Sequence, residues 1–329
     1  MFHSIKLWLI RNLIQPLILK VSGLIAIGLY RYVPDNAAHD VFSQHGFHLL
    51  RKHFYLPIPD STDLNEEFWQ TRSQLVGIEM NDPAALDLLQ NIFPLYAEEF
   101  RGLFPIHQSS DPTQFYLING SFMAVDAHVY YTFIRHFKPK RVVEIGSGAS
   151  TLLAATASRQ NYKEKGEEVH LTAIEPYPSP FLKKGFQGLS QLVERKVQDV
   201  NLELLTSLEA GDILFIDSTH VLRAGGDVQF EYCEILPRLA PGVLVHIHDI
   251  SLPKPYPRVY FEDNHYYWNE QYLLQAFLAF NSKYEVLWPG NYMMTKYPDS
   301  VCAVFPEYHI MREAFPLSEP SSFWMRVTA

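Results

Sequence analysis

From residue 141 onward, short apolar runs alternate with segments of helix length, and this alternation constrains the fold more than any other feature of the sequence. The apolar runs are Arg141–Ile145, Val169–Ile174, Leu192–Val197, Ile213–Ile216 and Val243–Ile247. The segments between them are Thr151–Arg159, Pro180–Leu189, Leu202–Leu208 and Asp227–Leu239. Strands that are apolar on both faces and separated by helices are typical of a parallel sheet with helices on both sides. We therefore predict a doubly wound, Rossmann-like α/β domain whose ligand lies at the carboxyl ends of the strands.

Composition and charge exclude some classes of protein. With 47% apolar and 19% charged residues the chain is globular in composition. It has 27 basic and 36 acidic side chains and a formal charge of −9, so we predict no nucleic-acid partner. Cys233 and Cys302 are far apart in the sequence, which favours neither a disulfide framework nor a thiolate metal site. A reducing compartment is the expectation.

A turn with two glycines follows the first predicted strand. Gly146, Ser147 and Gly148 stand between Ile145 and the next predicted helix. Glycines allow a tight turn from strand to helix and let the backbone come close to a ligand. The backbone N–H groups at the start of the helix favour negative or polar ligand atoms. The turn alone does not select a ligand, because many α/β proteins have one for packing.

An acid after the second predicted strand narrows the choice. Glu175 can accept hydrogen bonds from both hydroxyls of a ribose, as the equivalent acid does in proteins that bind NAD. An NAD-type oxidoreductase is therefore one alternative. Two features disfavour it: Thr151 occupies the third glycine position of G-x-G-x-x-G, and Glu144 precedes the turn where dinucleotide folds usually have an apolar residue.

The run Glu144-Ile-Gly-Ser-Gly, with Glu175, Asp199 and Asp212-Ile-Leu-Phe-Ile-Asp217, resembles the class I S-adenosylmethionine-dependent methyltransferases over roughly residues 120–306. The resemblance implies a seven-stranded sheet with a final antiparallel strand, for which Tyr284–Leu287 and Val301–Phe305 are the candidates. It implies that the cofactor is bound by Glu144, Gly146, Ser147, Gly148, Glu175 and Asp199. The methionine part would lie on the glycine turn, the ribose on Glu175 and the adenine near Asp199. Ser150 departs from the family pattern, since many members have a third glycine there.

Acids and imidazoles follow the fourth and fifth predicted strands. Asp217, His248 and Asp249 are expected at one edge of the sheet, with His220 three residues after Asp217. Two carboxylates suit Mg²⁺, and a histidine of near-neutral pKa suits the removal of a proton from an acceptor hydroxyl. His246 is expected to be a core histidine.

The same residues resemble the metal-dependent O-methyltransferases, including those that act on sugars and macrolides. The resemblance implies Asp217, His248 and Asp249 as metal ligands and Asp217 and His220 as catalytic residues. His248 departs from the pattern, because an acid is more usual there. The run Val-His-Ile-His-Asp-Ile also resembles bacterial methyltransferases of unassigned substrate. We therefore predict methyl transfer to a hydroxyl of a small molecule or glycan.

The Pro-rich segment Ile250–Trp268 is interpreted either as part of an acceptor pocket or as a packing insertion.

Residues 1–33 form a very apolar arm that basic residues interrupt. Lys20 separates the two longest uncharged stretches, so the arm is a poor candidate for a spanning helix, and Arg11 disfavours a secretory signal. Two interpretations remain open: an interfacial membrane helix, or an arm that packs on the body of the protein or on a second subunit. A non-catalytic protein with a membrane- or partner-binding arm is accordingly a further alternative.

We divide the chain into this arm (1–33), a mainly helical region (34–118), the methyltransferase domain (119–306) and a C-terminal tail (307–329). His45, His48 and His53 are spaced like metal ligands, but local hydrogen bonding is the preferred interpretation. The expected location is the cytoplasm, with peripheral contact at the inner membrane face through residues 1–33, and a homo-oligomer is an option.

Overall fold

A computed structural model describes residues 10–32, 35–48, 50 and 53–328. It divides the chain into two compact units, Met1–Pro59 and Asp60–Ala329. The second unit contains a seven-stranded sheet of order β3-β2-β1-β4-β5-β7-β6. Its strands are β1 (Arg141–Ile145), β2 (His170–Ile174), β3 (Gln191–Val193), β4 (Ile213–Ile216), β5 (Leu244–Ile247), β6 (Tyr284–Pro289) and β7 (Phe323–Val327). The predicted α/β class and seven-stranded sheet are confirmed.

Helices cover both faces of this sheet and build the first unit. They are α1 (Gln15–Tyr32), α2 (Asp35–Gln44), α3 (Glu66–Gln70), α4 (Asp82–Asp87), α5 (Phe93–Leu103), α6 (Asp126–Phe137), α7 (Ala149–Lys165), α8 (Pro180–Lys184), α9 (Leu202–Thr206), α10 (Asp227–Phe230), α11 (Arg258–Glu262), α12 (Glu270–Leu278), α13 (Gly290–Lys296), α14 (Pro298–Val304) and α15 (Glu307–Ala314). Wider π-helical turns adjoin α1, α4 and α10, and are Ile10–Ile14, Leu88–Ile92 and Glu231–Ile235.

The five parallel strands form because their side chains are apolar on both faces. All four residues of β4 and of β5 are buried, and β1 pairs in parallel with β2 and with β4. Two apolar clusters, one on each side of the sheet, bury these faces. The carboxyl ends of β1, β2, β4 and β5 therefore meet at one edge, which is where a doubly wound sheet binds its ligand.

The seventh strand lies where the sequence did not place it. Val301–Phe305, the predicted final strand, belongs mainly to α14, which has Pro298 in its first turn. A short apolar run fits a buried helix as well as a strand, and proline at the start favours the helix. The strand is instead Phe323–Val327, four of whose five residues are buried. It pairs antiparallel with both β5 and β6, so the segment predicted as a C-terminal tail completes the sheet.

The helical region before the sheet also differs from its prediction in extent. The apolar pattern of Asn65–Val76 has a helical period, but the helix ends at Gln70, and the Asn65 side chain caps its start by accepting from the N–H of Phe68 at 2.9 Å. The pattern of Pro83–Phe93 is also helical; the helix there begins at Asp82 and continues through a π-helical turn into α5, so the helical segment ends only at Leu103. A periodic pattern predicts the presence of a helix more reliably than it predicts the residue at which the helix ends.

The N-terminal unit consists of α1 and α2 with the segment that follows them. Ile10–Gly28 is, by length and composition alone, long and apolar enough to cross a membrane, contrary to the sequence interpretation. None of that span is buried. Residues 1–9 and 33 of the predicted arm lie outside the described residues.

Candidate functional site

The glycine turn is fixed between two neighbouring strands. The N–H of Gly146 donates to Ile174 O at 3.0 Å, and the N–H of Asp217 donates to Ile145 O at 2.8 Å. Gly146 has a φ of +79°, and a Cβ there would lie 1.8 Å from the carbonyl oxygen of Asp217. Glycine is therefore required at 146 both for its backbone conformation and for the close approach of β4.

Glu144 lies behind the turn, in the interior of the protein. It is fully buried, and both of its oxygens are taken: Tyr130 donates to Oε1 at 2.9 Å and Thr151 donates to Oε2 at 2.5 Å. Thr151 in turn accepts from the N–H of Gly148 at 3.0 Å. Burial raises the pKa of Glu144 to about 7, against the hydrogen bonds from Thr151 and Tyr130. The assignment of Glu144 as a cofactor ligand is therefore corrected: it is a positioning residue that ties β1 to the start of α7.

Glu175 does lie at the turn. Its Oε2 accepts from the N–H of Ser147 at 3.3 Å, and its Oε1 accepts from the N–H of Tyr177 at 2.8 Å. The half-buried Glu175 and the half-buried turn Gly146–Gly148 thus share one surface. Asp199 ends a short 3₁₀ turn after β3 and is exposed. Their assignment to the methionine, ribose and adenine parts of a cofactor stays a prediction.

A second group of polar side chains lies at the ends of β4 and β5. Ligand atoms of Asp217, His248 and Asp249 all lie within 4.8 Å of one another. The Nδ1 of His248 is 3.5 Å from Asp217 and 3.7 Å from Asp249. The structure therefore brings together the three residues predicted as metal ligands.

Opposite charges control the ionisation of this group. Burial opposes the charge of Asp217, but His248 and the hydrogen bond from His220 outweigh it and hold the pKa of Asp217 below its usual range. Burial likewise opposes the charge of Asp249, and His248 again lowers the pKa. Burial disfavours the imidazolium of His248, yet the two aspartates raise its pKa well above the usual value. The opposite charges of these three residues thus stabilise one another.

His220 is surrounded by carboxylates. Its Nε2 is 3.2 Å from Asp217 Oδ1 and 3.4 Å from Asp249 Oδ2, and its Nδ1 is 2.8 Å from Glu270 Oε2. Burial lowers the pKa of His220, but the hydrogen bonds to Asp217 and Glu270 raise it well above the usual value. Both ring nitrogens of His220 thus face carboxylate oxygens, and its role as the base stays a prediction.

Backbone conformation also marks this edge. His220 and Asp249 have φ values of +59° and +54°, in the left-handed region that residues other than glycine rarely adopt. Such conformations cost of order 1–3 kcal/mol each and cluster at functional sites. Their presence on two residues of one cluster supports a functional interpretation of the β4–β5 edge.

The structure adds residues that the sequence pattern did not indicate. Asp126, at the start of α6, lies 3.4 Å from Nε2 of His248 and accepts from the N–H groups of Ser321 and Ser322 at 2.9 and 3.0 Å. Glu270, at the start of α12, is fully buried against His220. Each is an acid at the first position of a helix, where acids are common because they interact favourably with the helix dipole. The sequence therefore does not distinguish Asp126 and Glu270 from acids that only stabilise a helix.

His246 is a core residue, as expected. It is fully buried, stacks on Phe215 with ring centroids 4.0 Å apart, and its Nε2 pairs with the hydroxyl of Ser322 at 2.8 Å. Burial lowers its pKa well below the usual value, so the ring is neutral.

A cavity of about 410 Å³ opens beside the charged cluster. His248 and Asp249 lie on one wall, and Trp69, Tyr256 and Tyr260 contribute aromatic rings. Of the lysine and arginine side chains that line it, Lys254 contacts Glu319 at 2.5 Å and Arg258 contacts Glu66 and Glu262, whereas Arg72 donates to the carbonyl oxygens of Trp69 and Thr71. Part of the segment Ile250–Trp268 therefore lines a pocket, and the pocket presents aromatic rings, two ion pairs and the guanidinium of Arg72.

The residues at this edge fit a divalent cation. The Nδ1 of His248 is buried without a hydrogen-bond partner and faces two carboxylates. Oxygen ligands suit Mg²⁺, while the imidazole makes the set equally suited to Mn²⁺ or Zn²⁺. The grouping found among the described residues includes neither His45, His48 nor His53; His45 instead contacts Val41 O at 3.0 Å.

Parts of this chain are similar to a known protein family and to a protein from another organism. Residues 143–250 match a family described as a methyltransferase domain. An uncharacterized protein of Archaeoglobus fulgidus is 34% identical over 167 residues, which are 48% of this chain and 72% of the archaeal protein. The matched family spans the glycine turn, Glu175, Asp199 and the cluster at the ends of β4 and β5.

Proposed function

We propose that the chain transfers a methyl group from S-adenosylmethionine to a hydroxyl oxygen of a small molecule or sugar, and the match of residues 143–250 to a methyltransferase domain supports this proposal. The observation that carries the proposal is the position of the Asp217–His248–Asp249 cluster. It adjoins the cavity of about 410 Å³ and lies one strand from the glycine turn. A donor site and an acceptor pocket are therefore neighbours along a single sheet edge.

The chain's own residues place the two reactants. The cofactor supplies an electrophilic methyl group on a sulfonium, so the protein has only to align a nucleophile with it. Gly146–Gly148 leave room for the methionine part, and Glu175 offers carboxylate oxygens to the ribose hydroxyls. Glu144 and Thr151 hold the turn rigid from behind.

The acceptor hydroxyl must lose its proton as the methyl group arrives. Asp249 lines the cavity, and Asp217 is 32% exposed beside it, so either carboxylate oxygen can accept a hydrogen bond from the acceptor. His220 fixes the orientation of both through its Nε2. A divalent cation held by Asp217, His248 and Asp249 would lower the pKa of a bound hydroxyl.

The pocket's chemistry supports a neutral acceptor. Trp69, Tyr256 and Tyr260 offer faces on which a sugar or an aromatic ring can stack. Two of the three lysine and arginine side chains that line the cavity, Lys254 and Arg258, are paired with acids, which limits the positive charge that an anionic acceptor would meet.

The test is formation of S-adenosylhomocysteine by the full chain with a panel of hydroxylated sugars, phenols and macrolides. The assay is run with EDTA and with Mg²⁺ or Mn²⁺ added back. We expect product with at least one acceptor and loss of product in EDTA. Binding of S-adenosylmethionine without turnover on any acceptor would favour a non-catalytic protein. Binding of NAD in its place would favour the oxidoreductase.

A further inference from the structure

The N-terminal unit has no hydrophobic core among the residues whose side chains the structure describes. Among the residues whose burial is described, the first buried one is Leu75, beyond that unit. Within the unit, large apolar side chains are exposed from Leu13 in the first helical turn to Ile58 near the end. Exposed apolar surface of this extent marks a site of interaction with a membrane or another macromolecule.

Helix α1 places this apolar surface in a stripe. Leu17, Val21 and Leu24 follow one another at spacings of four and three residues, so they lie on one face. Leu17 and Leu24 are 63% and 70% exposed. Gln15 and Ser22 lie on the opposite side, together with the apolar Leu19 and Ala26.

Charge along the helix has one sign. Arg11, Lys20 and Arg31 are basic, and no acid occurs before Asp35. Lys20 and Arg31 are eleven residues apart, which is close to three helical turns, so they lie on one face of α1, beside the apolar stripe. Residues 1–59 contain six basic and two acidic side chains, although the whole chain has a charge of −9. Positive charge is thus concentrated in the unit that exposes its apolar side chains.

Aromatic side chains continue the surface beyond α1. Phe47, Phe54 and Tyr55 are 66%, 82% and 83% exposed, and the rings of Phe54 and Tyr55 are 4.3 Å apart. Aromatic residues are enriched at the level of lipid headgroups, beside basic residues that contact anionic lipids.

We propose that the N-terminal unit binds in the surface of an anionic lipid bilayer, with the stripe of α1 in the acyl region and its basic residues at the headgroups. A bilayer matches both the apolar stripe and the single sign of charge, whereas a second copy of α1 would bring like charges together. Lys20 near the middle of the helix favours a position in the surface over a span. This inference does not depend on methyl transfer.

Flotation of the full chain with lipid vesicles tests the proposal. The variant Leu17→Glu with Leu24→Glu places two acids in the stripe. The matched control, Gln15→Glu with Ser22→Glu, adds the same charge on the opposite side. We expect wild type to float with vesicles containing phosphatidylglycerol, and the stripe variant to lose at least about tenfold in bound fraction. The control is expected to lose much less.

Three further readouts complete the test. Lys20→Gln with Arg31→Gln should weaken binding to phosphatidylglycerol vesicles and leave binding to pure phosphatidylcholine almost unchanged. Raised salt should have the same effect. Thermal unfolding and S-adenosylmethionine binding should be equal in all variants, since both report on the other unit.

Each contrary outcome overturns the proposal. Wild type that stays with the soluble fraction excludes a lipid partner, as does a stripe variant that floats normally. Resistance to alkaline carbonate extraction would show a spanning helix. A wild-type dimer that the stripe variant converts to monomer, without flotation, would show that a second copy covers the stripe.

Discussion

The β1–β2 end and the β4–β5 end of the same sheet edge use carboxylates in opposite ways. At the first, Glu144 is buried under two hydroxyl donors and Glu175 is held by backbone N–H groups, so the acids shape a turn. At the second, two aspartates face two imidazoles whose pKa values they raise. The comparison shows that acids fix the backbone at one end and concentrate charge at the other; under the proposed function, the first end would bind the cofactor and the second would carry out the chemistry.

The largest effect should come from adding a methyl group to the turn. Gly146→Ala places a Cβ against the carbonyl of Asp217 at a positive φ, and we expect a loss of several kcal/mol of stability, about 3 or more, with loss of cofactor binding. Gly148→Ala is the matched control, because its φ of −177° suits any residue and a Cβ there meets nothing within 4 Å. If Gly146→Ala and Gly148→Ala unfold at the same temperature, the glycine turn is not as rigid as we infer.

Removal of one carboxylate charge from the β4–β5 end should abolish methyl transfer and leave cofactor binding at the β1–β2 end unchanged. Asp217→Asn takes away a carboxylate that faces His220 and His248, and we expect turnover to fall by about 100-fold or more with cofactor affinity unchanged. Asp263→Asn, an exposed acid in the nearby segment, is the control. If Asp217→Asn turns over at the wild-type rate, the charged cluster has no part in the reaction.

The buried acid behind the turn should make stability depend on pH. The pKa of Glu144 is about 7 in the folded protein against an ordinary 4.5. Between pH 4.5 and 7 the folded state therefore holds a proton that the unfolded state has released. The contribution of Glu144 to the free energy of unfolding is fully present below pH 4.5 and is lost as the pH rises through 7, by about 3 kcal/mol in total.

Glu144→Gln should remove this dependence, because the amide resembles the protonated acid in shape and charge. Urea unfolding of wild type and variant at several pH values between 4 and 8 measures the difference. Parallel curves for the two proteins would show that Glu144 is not the group that titrates.

The smallest effect should come from the residue behind His220. Glu270→Gln keeps a hydrogen-bond acceptor for Nδ1 but removes the charge, and we expect kcat to fall by about tenfold with KM unchanged. The ¹⁵N chemical shift of the His220 ring reports the change directly. A change in KM alone would assign Glu270 to acceptor binding.

Local pattern was sufficient for the parts of the fold that neighbouring residues determine. The five parallel strands, the glycine turn and the convergence of Asp217 with His248 and Asp249 follow from apolar runs and from the residues at their ends. The order of the last two strands did not follow, because β7 is specified by pairing with β5 about 80 residues earlier.

Side-chain direction was the other gap. The sequence places Glu144 next to the turn, but whether it faces the ligand or the core depends on Tyr130, which belongs to a helix before β1. The third carboxylate beside His220 comes from Glu270, fifty residues away in the sequence, and no local pattern indicates that Glu270 would contact this ring.

Calorimetric titration of the full chain tests most directly the claim that Gly146–Gly148 and Glu175 bind an adenosyl cofactor. S-Adenosylmethionine should bind at one site per chain, NAD should not bind, and Glu175→Gln should weaken binding by about tenfold or more through loss of contacts to the ribose. Binding of NAD in preference to S-adenosylmethionine, or an affinity for S-adenosylmethionine that Glu175→Gln leaves unchanged, would contradict the account.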